Sequence, residues 1–208
     1  MVGHVHLTLI LFAAFIGIAS PGPAIAGIAG TSMSAGRRAG LAFASGVTTG
    51  SITWSIAAAA GLSAVMLANA WLIEVVRYCG AAYLLFLAFK SARSALTPGD
   101  ITVGKVAAVS ARRAYVKGLT LHLTNPKPIL FFASLYSFGV PADATVGDLA
   151  VIVVAVGTLG AVITHGYAIL FSNGRIVRGY MKLRRWFEGT FALCFGYAGF
   201  KILSAKLS

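Results

Sequence analysis

Six apolar stretches, at about 7–28, 40–67, 72–89, 116–140, 149–171 and 187–203, take up most of this chain. Most approach the roughly 20 residues that a helix needs to cross the hydrocarbon of a bilayer. Only 5 of the 208 residues are acidic, 58% are hydrophobic and 11% are charged, so the chain cannot dress a surface for water. Its partner over most of its length must be the lipid bilayer. This predicts an all-α membrane protein of six transmembrane helices and excludes cytosolic enzymes and nucleic-acid binders. The net charge of +12 is then read as asymmetric loops rather than as a nucleic-acid surface. Cys79 and Cys194 lie within apolar runs and set no disulfide framework. The start, Met-Val-Gly-His-Val-His, lacks the basic region of a signal peptide, so the first apolar run is expected to stay in place.

Basic residues set the orientation. Arg37 and Arg38 follow the first span. Lys90, Arg93, Lys105, Arg112, Arg113 and Lys117 flank or occupy the third connection, and Arg175, Arg178, Lys182, Arg184 and Arg185 the fifth. The other side holds Arg77, Lys201 and Lys206, a split of 13 against 3. Loops 29–39, 91–114 and 172–186 are therefore predicted to be cytoplasmic, with both termini outside. Trp71 and Trp186 stand at span ends, as interfacial aromatics do. Thr97-Pro98-Gly99-Asp100 reads as a turn in the one real linker.

The two halves of the chain can be superposed. Ser20-Pro21-Gly22-Pro23 corresponds to Asn125-Pro126-Lys127-Pro128 at a shift of 105. Gly46 and Ile52-Thr53-Trp54 correspond to Gly157 and Ile163-Thr164-His165 at a shift of 111, as Phe89-Lys90 does to Phe200-Lys201. Three spans per half make the halves enter the membrane in opposite directions. The expected fold is a single transmembrane domain, 1–208, built as two inverted three-helix repeats. Repeat one covers 5–95, a cytoplasmic linker 96–114 and repeat two 115–208. Such inverted repeats provide alternating access to a central site.

Pro21 and Pro126 fall about midway along the first and fourth spans. Proline removes a backbone donor and clashes with the preceding turn, so both helices are expected to break at Pro-x-Pro. Ser20 and Asn125 are suited to cap the half-helices that follow. Broken backbone at membrane depth is tolerated only where protein or a wet cavity satisfies it, and paired interruptions point to a transporter's binding site. The positive ends of both half-helices suit an anion such as a carboxylate. Because each has two prolines, the amides on offer are chiefly those of Gly22 and Lys127.

Lys127 is the anomalous residue. An ammonium near the middle of a span costs on the order of 3 kcal/mol and usually faces a functional interior. No acid reads as lying deep in a span; Glu74 and Glu188 stand near the starts of the short third and sixth spans. Helix carbonyls, Asn125 or a bound anion remain as partners for the ammonium. The expected substrate site comprises Ser20, Pro21, Gly22, Pro23, Trp54, Asn125, Pro126 and Lys127. His122 and His165 are the other titratable residues near it and candidates to carry a coupling proton. His165 is favoured, as the repeat partner of Trp54, with both expected on the pseudo-symmetry axis. Ala42, Gly46 and Gly50, with Gly157 and Gly160, form small faces for close helix packing, which would also serve a homodimer.

These residues resemble the LysE/RhtB translocators of bacterial inner membranes. The resemblance is carried by Ser20-Pro21-Gly22-Pro23, Gly36-Arg37-Arg38-Ala39-Gly40, Gly80-Ala81-Ala82-Tyr83-Leu84-Leu85-Phe86-Leu87, Leu123-Thr124-Asn125-Pro126-Lys127 and Ile129-Leu130-Phe131-Phe132. It implies export of a small amino-acid-like solute by proton antiport, from a six-helix protein that can dimerise, with no cofactor and no enzymatic activity. Ala24 stands where such proteins usually carry Asp or Asn, and Tyr136-Ser137-Phe138 where they carry Pro-Gln-Phe. An ammonium-bearing substrate would lack an acceptor at position 24, so the resemblance at that point implies a less cationic or more apolar solute.

Three other functions fit less of the sequence. A metal or inorganic cation exporter wants carboxylate, thiolate or clustered imidazole ligands, and the spans hold no deep acid, two scattered cysteines and two separated histidines, so no metal site is expected. An intramembrane hydrolase would use Ser45 with His165 or His122, without a sharper signature. An accessory subunit would carry no solute.

Overall fold

The computed structural model describes residues 7–68, 70–97, 109–141 and 144–204. Among them the chain is all helix: α1 (Leu7–Ala19), α2 (Pro23–Ala68), α3 (Ala70–Leu96), α4 (Ala111–Thr124), α5 (Pro126–Gly139), α6 (Val146–Leu170) and α7 (Gly174–Ser204).

Local chemistry sets where these helices stop. α1 ends ahead of Pro21, and helix resumes at Pro23, whose missing N–H is harmless in a first turn. The Ala26 amide donates to Gly22 O at 2.9 Å. The axis bends by 54° across this break. α2 is interrupted once more at Gly36, with φ 82° and ψ 173°, a region essentially reserved to glycine. α4 is capped by Ser110, whose hydroxyl accepts from the Arg113 amide at 3.3 Å. It stops at Thr124 because Asn125 is extended and Pro126 opens α5. α6 starts in a capping box in which Thr145 and Asp148 satisfy each other's amides.

Of the four apolar clusters among the described residues, three join most of these helices. Ile10, Ala14, Phe132, Leu135, Tyr136, Ile152 and Val156 join α1, α5 and α6. Phe43, Ala44, Val47, Ala114 and Ala168 join α2, α4 and α6. Ile16, Leu84, Leu87 and Phe195 tie α1 to α3 and α7. Phe12, Val154, Val162, Leu193, Tyr197 and Phe200 are all exposed. So much outward apolar surface is a lipid-facing one, since a water-soluble monomer rarely exposes it. Among the described residues, α6 alone is straight, long and apolar enough to cross a membrane, and α1 with Pro23–Gly61 passes as a bent pair.

Two of the predicted loops are largely helix. Residues 29–39 belong to α2 apart from the break at Gly36, and α7 already begins at Gly174 within 172–186. Hydropathy marks where a chain leaves hydrocarbon, and polar residues that favour helix carry the helix past that point. Trp186 is exposed. Pro98, Gly99 and Asp100 of the predicted turn, Lys105, Lys206 and the side chains of Trp71, Glu74, Arg77 and Lys201 lie outside the described residues.

Candidate functional site

The two helix breaks meet. Ser20 does not cap α2 as expected but completes α1: its amide donates to Ile16 O at 3.0 Å and its hydroxyl to Gly17 O at 2.9 Å. The reason is that α2 starts two residues later than Pro21, which leaves Gly22 next to its first turn. The break therefore presents the carbonyl end of α1, the negative end of its dipole. Lys127 Nζ donates to Ser20 Oγ at 2.5 Å, to Ser20 O at 3.2 Å and to Pro21 O at 3.4 Å.

At the second break Asn125 caps α5, accepting from the Lys127 amide at 3.0 Å. That amide is thus occupied within the helix and is not free for an anion. Tyr83 of α3 donates to Lys127 O at 3.0 Å, and Tyr167 of α6 donates to Ala19 O at 3.0 Å. Tyr167 thus supplies a donor to a carbonyl at the end of α1 whose helical donor would have been the missing N–H of Pro23, as broken helices in lipid require, while Tyr83 ties α3 to the first turn of α5.

Two cavities adjoin the junction. The larger, about 280 Å³, is lined by Pro21, Gly22, Pro23 and Lys127, by Lys90 and Ser94 of α3, and by Glu188 of α7. Ile25, Met33, Phe171 and Phe195 form its apolar part. The smaller, about 50 Å³, is lined by Ser20, Ser51, His122, Asn125, Lys127 and Thr164. Lys127 faces both.

Glu188 is the residue that reading the sequence missed. It is only 4% exposed and accepts from Ser94 Oγ at 2.9 Å. Judged from hydropathy it stood at the start of a short span. In the structure it lies near the middle of the 31-residue α7, because the helix extends back through the basic stretch to Gly174. Continuing a helical reading through that stretch would have exposed the signal.

The histidines separate. His122 is buried, lines the smaller cavity and places Nε2 3.0 Å from Ser51 Oγ. His165 lines neither of these two cavities: Nδ1 is 2.8 Å from Ala161 O and Nε2 3.0 Å from Ser45 Oγ. Trp54 packs on the cluster of α1, α5 and α6, again away from both cavities. The match by repeat position therefore does not place Trp54 or His165 on either cavity. The Ser45–His165 contact has the distance of a nucleophile and its base, yet it opens onto neither cavity.

The small faces are used inside the protomer. A Cβ on Gly46 would stand 2.1 Å from Tyr115 O, one on Gly50 3.0 Å from His122 Cβ, and one on Gly157 3.2 Å from Ile52 Cγ1. α4 and the facing helix occupy the surface that pairing two copies through these glycines would need. Among the described residues no group of three or more His, Cys, Asp or Glu side chains comes together to hold a metal ion.

Residues 15–206 match the family described as LysE type translocator. The chain is 30% identical over 197 residues to the threonine efflux protein of Salmonella typhi, covering 92% of this chain and 94% of that one. It is 33% identical over 180 residues to the leucine efflux protein of Klebsiella pneumoniae, covering 86% and 84%. To the homoserine/homoserine lactone efflux protein of Salmonella typhimurium it is 29% identical over 153 residues, covering 73% of each. No solved structure matches it. A match over nearly the whole length makes the chain a member of the LysE type translocator family.

Proposed function

We propose that this protein is a secondary transporter that exports an amino acid, or a related small carboxylate-bearing solute, across the bacterial inner membrane. Relatives named for threonine, leucine and homoserine efflux support that solute class. The observation that carries the reading is Lys127, a cation inside a helical bundle that faces both cavities and ties one broken helix to the other. In this scheme the substrate carboxylate takes over Lys127 from the Ser20 and Pro21 oxygens. Releasing that tether frees the two breaks to move against each other. The transition is that of two inverted three-helix repeats, 5–95 and 115–208, in one domain of six spans with both termini outside. Loops 29–39, 91–114 and 172–186 then lie in the cytoplasm.

Coupling is by proton antiport. His122 is better placed than His165 to carry the proton, since it lines the cavity that Lys127 also faces. The test is counterflow in proteoliposomes with a panel of amino acids, with and without a pH gradient. Wild-type protein should exchange at least one amino acid faster under the gradient. Lys127→Ala should insert and purify normally and exchange none. Undiminished exchange by Lys127→Ala would remove the basis of the scheme.

A further inference from the structure

We propose that Ile25, Ala26 and Ala29 select the side chain of the transported solute, and that they select an aliphatic one of leucine or methionine length. The assignment rests on the exporter reading of the larger cavity and deepens it.

That cavity lies between two pairs of helices, for α2 packs on α6 and α3 on α7. Its two walls differ in chemistry. α2 and the end of α6 contribute Ile25, Ala26, Ala29, Met33 and Phe171, none with a hydroxyl, amide or charge on its side chain. Among the described residues that line the cavity, every hydroxyl and charge apart from Lys127 belongs to α3 or α7. Two of these, Ser94 and Glu188, are already bonded to each other at 2.9 Å.

Lys127 fixes where a carboxylate-bearing solute begins. Its Nζ stands at the head of the apolar wall, 3.3 Å from where a Cβ on Gly22 would be. With a rise of about 1.5 Å per residue, Ile25 and Ala26 lie roughly 5 Å along the helix from Gly22, and Ala29 roughly 10 Å. Residues three and four apart share a helix face, so Ala29 continues the surface that Ile25 and Ala26 begin. A carboxylate held at Lys127 leaves a side chain of leucine or methionine length alongside these three residues, and Met33, a further turn on, beyond its reach. An aliphatic group covers this wall and gains by it. A hydroxyl turned to the wall gives up water with nothing to replace it. This is the more apolar solute that Ala24 implies in place of Asp or Asn.

Ile25 and Ala29 also pack with Phe171 in a buried cluster. Were packing their whole role, substitutions on this face would scale the exchange of every solute by one factor. As selectors they change the ratio between solutes.

The experiment is counterflow in proteoliposomes with L-alanine, L-threonine, L-leucine, L-methionine and L-phenylalanine, compared at low concentration. Wild-type protein should exchange leucine and methionine about 10- to 100-fold faster than threonine, the range in which an apolar pocket discriminates by a methylene or a hydroxyl. Ala26→Leu fills the wall close to Lys127 and should shift the leucine-to-alanine ratio about tenfold toward alanine. Ile25→Ala opens the wall and should shift the leucine-to-phenylalanine ratio about tenfold toward phenylalanine. Wild-type protein that exchanges threonine as fast as leucine would overturn this assignment alone. So would variants that slow all five solutes by the same factor. Wild-type protein that exchanges no amino acid would overturn the exporter reading and this assignment with it.

Discussion

Gly46→Ala places a methyl where α2 and α4 leave no room for one. Its Cβ would stand 2.1 Å from Tyr115 O and 2.7 Å from Leu119 N. Both atoms are α4 backbone and cannot swing aside, so the helices would have to part by about an ångström to reach ordinary contact. Helix propensity alone favours alanine by about 1 kcal/mol. Overpacking against rigid neighbours costs 1–3 kcal/mol and sometimes more, and this contact is at the severe end. The net effect should be a loss of roughly 2 kcal/mol. Gly30 supplies the control, since it lies in the same helix with nothing within 4 Å of its would-be Cβ. Gly30→Ala should gain about 0.5–1 kcal/mol from propensity alone. Thermal unfolding of the purified proteins in detergent, followed by the monodisperse fraction after heating, reads the difference. Separating α2 from α4 would also pull Ser51 from His122, now 3.0 Å apart, so exchange should fall in step. Gly46→Ala as stable as Gly30→Ala would refute the account of how these helices meet.

Gly36→Ala should destabilise the protein by about 1–3 kcal/mol in the same unfolding assay. With φ at 82° and open space around it, all of that loss would come from the backbone, and a neutral result would show that the chain turns there without strain. His122→Gln should abolish the response of exchange to a pH gradient while His165→Gln keeps it. The opposite pattern, measured in proteoliposomes, would move the coupling group to α6.

Much of the framework was legible in the chain itself. Apolar runs of bilayer length with few acids admit an all-helical bundle in lipid, and Pro-x-Pro interrupts a helix wherever it falls. Asn125 before Pro126 reads as a cap and acts as one. Lys127 stands out because a lysine between two prolines in an apolar run has no innocent place to go. All of these are properties of contiguous residues, governed by donors, dihedrals and hydration within a turn or two.

What only the tertiary structure decided concerns partners that arrive from elsewhere in the chain. Ser20 looks like a cap, yet it closes α1, because the start of α2 slipped to Pro23. Glu188 became an interior acid only when α3 brought Ser94 beside it and α7 extended back beyond its apolar run. That His122 lines the smaller cavity while His165 lines neither is likewise visible only in the fold. Gly46 matters because of Tyr115, on a separate helix. Burial and pairing are sums over neighbours far apart in sequence, and packing alone selects which neighbours those are.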